Sequence, residues 1–65
     1  MNIELRFLQK AIEDKNYISF TYKNKKYIKI RPLKLITKNT YVLKTSVKDF
    51  NFELITRIQI LKEKF

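Results

Sequence analysis

The side chains able to act on a ligand are fifteen lysines and arginines and four tyrosines, with no histidine or cysteine beside them. Acid–base and nucleophilic catalysis need a group that can be activated near neutral pH. The only other titratable groups are six carboxylates, scattered at Glu4, Glu13, Asp14, Asp49, Glu53 and Glu63. An enzyme is therefore not expected. Without imidazole or thiolate a zinc site is not expected either. The chain also lacks glycine altogether, so it has no Gly-rich loop to cradle a nucleotide cofactor.

What the composition offers instead is a grip on an anion. The formal net charge is +9, and it is unevenly spread: ten basic residues and no acid occupy the stretch from Lys15 to Lys48. Lysine as a default surface residue would explain twelve Lys against three Arg, but it would not empty the middle of the chain of acids. Cations interleaved with tyrosines combine charge for phosphates with ring faces for bases. Tyr17, Tyr22, Tyr27 and Tyr41 are the stacking candidates. For Tyr22 and Tyr41 the competing role is core packing with the hydroxyl at the rim, because their neighbours at spacing two are apolar. Tyr17 and Tyr27 fall on polar faces.

Arg31 and Arg57 stand out in a lysine-dominated chain, because a planar guanidinium suits a two-pronged hold on phosphate or carboxylate. The alternative for them is a structural ion pair, such as Arg57 with Glu53. Lys26, Lys29 and Lys44 are expected to line the same faces, a plain solvated position being the alternative for each.

These residues need elements to carry them. Asn2 is a candidate helix N-cap, followed by Glu4 where negative charge favours a helix start. Residues 3–14 read as a helix, with Ile3, Phe7, Leu8, Ala11 and Ile12 forming the buried stripe, Leu5 at its margin, and Asn16 able to close it. The period then changes to two. Residues 17–22 are a strand with Ile18, Phe20 and Tyr22 on one face. Lys23-Asn24-Lys25 is a tight turn in which Asn24 takes positive φ. Residues 26–31 complete the hairpin, with Ile28 and Ile30 inward and Tyr27, Lys29 and Arg31 outward. Pro32 marks an edge or bend. Further strands follow at 33–36, 40–46 and 52–56, with a turn at Lys38-Asn39 and a polar connection at 47–51. Beyond residue 56 the apolar pattern fits strand or helix.

The expected fold class is mainly β with one N-terminal helix, an antiparallel sheet of four to five strands curled into a small barrel, since closure removes exposed edges. Sixty-five residues make one domain, 1–65, because so short a chain buries only about 60% of its unfolded surface. Neither an apolar run of ~18 residues nor a charged-then-apolar leader is present. No membrane association and a cytoplasmic location are the expectations.

The order of Ala11-Ile12, Ile18-Ser19-Phe20-Thr21-Tyr22, Arg31-Pro32-Leu33-Lys34-Leu35, Tyr41-Val42-Leu43 and Arg57-Ile58 resembles the WYL domain of bacterial transcriptional regulators across essentially the whole chain. Tyr41-Val42-Leu43 stands where that family has Trp-Tyr-Leu, Thr56-Arg57-Ile58 where it has Asp-Arg-Ile, and Asn24 where it has Gly. A basic residue that the family often carries ahead of its Phe-x-Leu run has no match, since Asp49 and Asn51 lie there. These departures bear on ligand contacts more than on the fold. The resemblance implies an Sm-like barrel that binds nucleic acid, or a nucleotide-like anion, as the sensory part of a regulator. It points to Arg31 and Arg57 as ligand contacts, and to a DNA-binding domain elsewhere in a longer protein. The partners expected are thus a nucleic acid, single-stranded by the charge-and-ring pattern, or a nucleotide-like anion. The competing function is structural, with edge strands forming a homodimer or docking a neighbouring domain.

Overall fold

The first element is helix α1, Ile3–Asp14, closed by Lys15 at a φ of 58°. The structure, a computed structural model, describes residues 3–65, so the expected cap at Asn2 lies outside the described residues. Asn16 does not close the helix. It begins the first strand, and its side-chain amide donates to the Leu61 carbonyl at 3.1 Å. The helix buries Leu5, Leu8 and Ala11, while Ile3 and Phe7 face outward, 62% and 56% exposed. The expected stripe is thus rotated toward Leu5, because α1 rests on the first, third and last strands at once and Leu5 shares with Leu8 and Ala11 the face turned to them.

The strands are β1 (Asn16–Tyr22), β2 (Lys25–Ile30), β3 (Pro32–Ile36), β4 (Val42–Thr45), β5 (Asp49–Asn51) and β6 (Ile55–Lys64), with a single 3₁₀ turn, Phe52–Leu54, before the last. The ambiguous C-terminal segment is therefore a strand, and the polar connection contains one too. The protein is mainly β with one N-terminal helix, but its strands form two three-stranded antiparallel sheets, β2-β1-β6 and β3-β4-β5, and not one closed barrel. Two local breaks explain this. Pro32 lacks an N–H, so the run from Lys25 to Ile36 changes sheet at Arg31. The 3₁₀ turn after β5 likewise separates that strand from β6.

Lys23 and Asn24, at φ 50° and 66°, form the two-residue turn between β1 and β2, both central residues being left-handed as a hairpin of this twist requires. Two further left-handed residues sit within strands. Lys29 has a φ of 57°, and there β2 places two residues opposite Ser19; Arg57 has a φ of 54°, and there β6 places two opposite Phe20. These are β-bulges, in which an extra residue shifts the alternation by one. The shift in β2 reverses the expected facing of two side chains. Tyr27 pairs with Phe20 and packs inward, while Ile28 is 63% exposed.

The core joins Leu5, Leu8 and Ala11 of α1 to Ile18, Phe20, Ile30, Leu43, Phe50, Phe52 and Ile55. Phe50 is fully buried and meets the rings of Phe20, Tyr22 and Tyr27 edge-on, each at 4.9 Å. Edge-to-face contact of this kind adds about 0.5–1.5 kcal/mol per pair beyond area burial. Thr45, buried at the end of β4, organises the following turn: its hydroxyl donates to the Lys48 carbonyl at 2.6 Å and accepts from the Val47 and Lys48 amides. Thr45→Val removes all three bonds and is expected to lower the unfolding free energy by about 1–3 kcal/mol, measured as a lower urea midpoint at unchanged slope.

Candidate nucleic-acid interface

β1 is the central strand of its sheet, and its alternation assigns the two faces. Ile18 and Phe20 enter the core, so Tyr17, Ser19 and Thr21 stand on the outer face. On that face Thr21 pairs with Lys26 of β2, and Ser19 pairs with Gln59 of β6. The two flanking strands thereby bring Lys26 and Arg57, 31 positions apart in sequence, to the rim of one cleft of about 200 Å³ lined by Ser19, Phe20, Thr21, Lys26, Arg57 and Gln59. No lining residue is acidic. Among the described residues the ion pairs are Lys10–Asp14, Lys29–Glu63 and Lys44–Asp49, so neither Lys26 nor Arg57 is neutralised, and the alternative pairing of Arg57 with Glu53 does not form.

The bulges shape this cleft. Ser19 is only 6% exposed although it lies on the outer face, and its hydroxyl accepts from the displaced Lys29 amide at 3.3 Å. Arg57 is held in a left-handed conformation that costs a non-glycine residue about 1–2 kcal/mol. Strain of this kind persists where surrounding structure enforces it, and it concentrates at binding sites.

Arg31 lies at the far end of the same outer face, about three residues or roughly 10 Å along β1 from the cleft. Its guanidinium stacks over the Phe65 ring at 5.8 Å, Phe65 meets Tyr17 at 5.4 Å, and the Lys29 ammonium sits over Tyr17 at 5.2 Å while also facing Glu63 at 3.8 Å. Arg31 and Arg57 therefore share a face without sharing a cleft.

The other expected residues are elsewhere. Lys44 projects from β4 and pairs with Asp49 of β5 at 3.9 Å, both exposed, a contact worth about 0–1 kcal/mol. Tyr41 borders a recess of about 410 Å³ between α1 and the β3–β4 hairpin, lined with Leu5, Gln9, Leu35 and Thr37. It meets Phe52 at 6.4 Å, and no cation among the described residues lies over its ring. Tyr22 packs on Phe50, as its apolar phase suggests, and its hydroxyl accepts from the Asn51 amide at 3.3 Å. Ser19, Gln59 and Phe65 were not marked by residue type. Ser19 alone carried a signal, as a small polar residue at the centre of an aromatic and β-branched strand.

The described residues contain no group of three or more Asp and Glu placed to hold a metal ion, and no helix among them is long and apolar enough to cross a membrane. No protein-family model matches the chain, and no curated protein or solved structure is significantly similar to it.

Proposed function

We propose that this protein is a non-catalytic module that binds single-stranded nucleic acid, or a nucleotide-like anion, on the outer face of the β2-β1-β6 sheet. The observation that carries it is the meeting of Lys26 and Arg57 in one acid-free cleft floored by Ser19, Thr21 and Gln59. A phosphate seated there accepts from the guanidinium and the ammonium, while the hydroxyls and amide supply neutral donors. Tyr17 and Phe65, the second with Arg31 over its ring, offer ring surface for a base further along the face.

The WYL resemblance supports the same reading: Arg31 and Arg57 are the positions it singles out. In that light the two sheets, served by one run of chain, are an open form of the Sm-like barrel, and the protein acts as the cytoplasmic sensory part of a bacterial transcriptional regulator. Fluorescence anisotropy with labelled oligothymidylate at low salt tests the binding. Saturable binding is expected, with log K falling against log salt at a slope of about −2 for three neutralised phosphates. A flat titration at low salt rejects it.

The competing structural role draws on one observation, the outward-facing Ile3 and Phe7 on α1. It predicts a concentration-dependent dimer that Phe7→Ser abolishes, whereas the binding module sediments as a monomer before and after that change.

A further inference from the structure

We propose that Lys23, Lys25 and Lys48 form a second phosphate site at the tip of the β1–β2 hairpin, which extends the path of the bound strand beyond the Lys26–Arg57 cleft. This rests on the proposed binding function and adds where the strand leaves the cleft and which residues hold it there.

The three ammonium groups gather on one aromatic cluster. Lys48 lies over Phe50, Tyr27 and Tyr22 at 5.3, 5.7 and 5.9 Å, Lys23 over Tyr22 at 5.6 Å, and Lys25 over Tyr27 at 5.3 Å. Two ammonium groups within 6 Å of the same ring centre are within about 12 Å of each other, close to the screening length of roughly 10 Å at 0.1 M salt. Lys48 shares the Tyr22 ring with Lys23 and the Tyr27 ring with Lys25. None of the three pairs with a carboxylate among the described residues; the neighbouring Asp49 is directed to Lys44.

Ring faces attract each cation singly, but they leave the mutual repulsion uncompensated. An anion between the lysines removes it. The backbone that carries the Lys48 side chain is fixed, because Thr45 bonds both the amide and the carbonyl of that residue. The Tyr22 hydroxyl accepts from Asn51 and keeps its own proton for donation outward.

Position along the sheet connects this cluster to the cleft. Thr21 pairs with Lys26 at the cleft on the outer face, and the next pair, Tyr22 with Lys25, ends the hairpin with its side chains toward the inner face, where Tyr22 packs on Phe50. The step from Arg57 to the tip is about 10 Å along the strand, and the sheet ends there, so one continuous nucleic acid reaches both by turning round the end of the hairpin.

Anisotropy with oligothymidylates of two, four, six and eight nucleotides tests this on the wild type, Lys48→Met, Lys48→Arg and Arg57→Gly. Methionine keeps an apolar stem over the rings without the charge. The wild type is expected to gain affinity with length. Lys48→Met should match it on the dinucleotide and lose about three- to tenfold on the longer strands, Lys48→Arg should stay near wild type, and Arg57→Gly should weaken every length. If Lys48→Met binds all lengths as the wild type does while Arg57→Gly is weak, the second site is wrong and the cleft stands. If Lys48→Arg is as weak as Lys48→Met and both melt early, Lys48 is a structural lid and the proposal fails. Absence of wild-type binding at every length removes both sites together.

Discussion

Arg57→Gly is expected to weaken oligonucleotide binding by about 10- to 100-fold while leaving the protein as stable as the wild type, or more so. The two halves have separate causes. A charge-assisted hydrogen bond to phosphate contributes about 1.5–3 kcal/mol, and each 1.4 kcal/mol is a factor of ten in affinity. The backbone at Arg57, with φ at 54°, suits glycine better than any side-chain-bearing residue. Relief of that strain is offset in part by the greater freedom of an unfolded chain containing glycine. A thermal midpoint unchanged or raised by up to about 4–8 °C is the expected outcome. Most substitutions that impair a site also loosen the fold, so a stable variant that no longer binds separates the two. Loss of stability with retained affinity would make Arg57 a structural residue.

Phe50→Ala is expected to leave the chain largely unfolded at 25 °C. Phe50 is fully buried at the meeting of the two sheets and is the shared partner of Phe20, Tyr22 and Tyr27. Truncating a buried phenylalanine costs about 3–5 kcal/mol, which is the whole stability a core of this size usually supplies. Proton NMR should show collapsed amide dispersion, and heating should give no cooperative transition. A cooperative transition near the wild-type midpoint would mean that the two sheets do not depend on this contact.

The helix, the first hairpin and the mainly-β class could be read from periodicity, because residues 3–14 and 17–22 follow one repeat from end to end. Asn24 was legible as a left-handed turn residue for its short polar side chain. The bulges at Lys29 and Arg57 were not, since a lysine or arginine at positive φ carries no local mark, and one such residue reverses the facing of Tyr27 and Ile28. Phe50 was hidden for another reason: its strand spans three residues, too few to display alternation, and lies between polar neighbours. On α1, apolar residues are more numerous than one stripe can hold, so the strands beneath decide that Leu5 turns in and Phe7 turns out.

The candidate site divides in the same way. Arg31 and Arg57 were conspicuous by type and Lys26 and Lys29 by strand phase, and all four lie in the sheet built around β1 or at its edge. That Lys26 and Arg57 meet depends on β1 pairing with β6, some forty positions away, a register no local pattern records. Lys44 and Tyr41 were grouped with them by strand phase alone, and the division into two sheets separates them.

The central claim is that a polyanionic strand lies along the outer face of the β2-β1-β6 sheet. A ¹⁵N chemical-shift titration of the whole chain with oligothymidylate at low salt locates the contact residue by residue. The largest shifts are predicted at Ser19, Thr21, Lys26, Arg57 and Gln59, fading as salt is raised. Shifts confined to the recess around Leu5, Leu35 and Tyr41, or none that saturate, would contradict it.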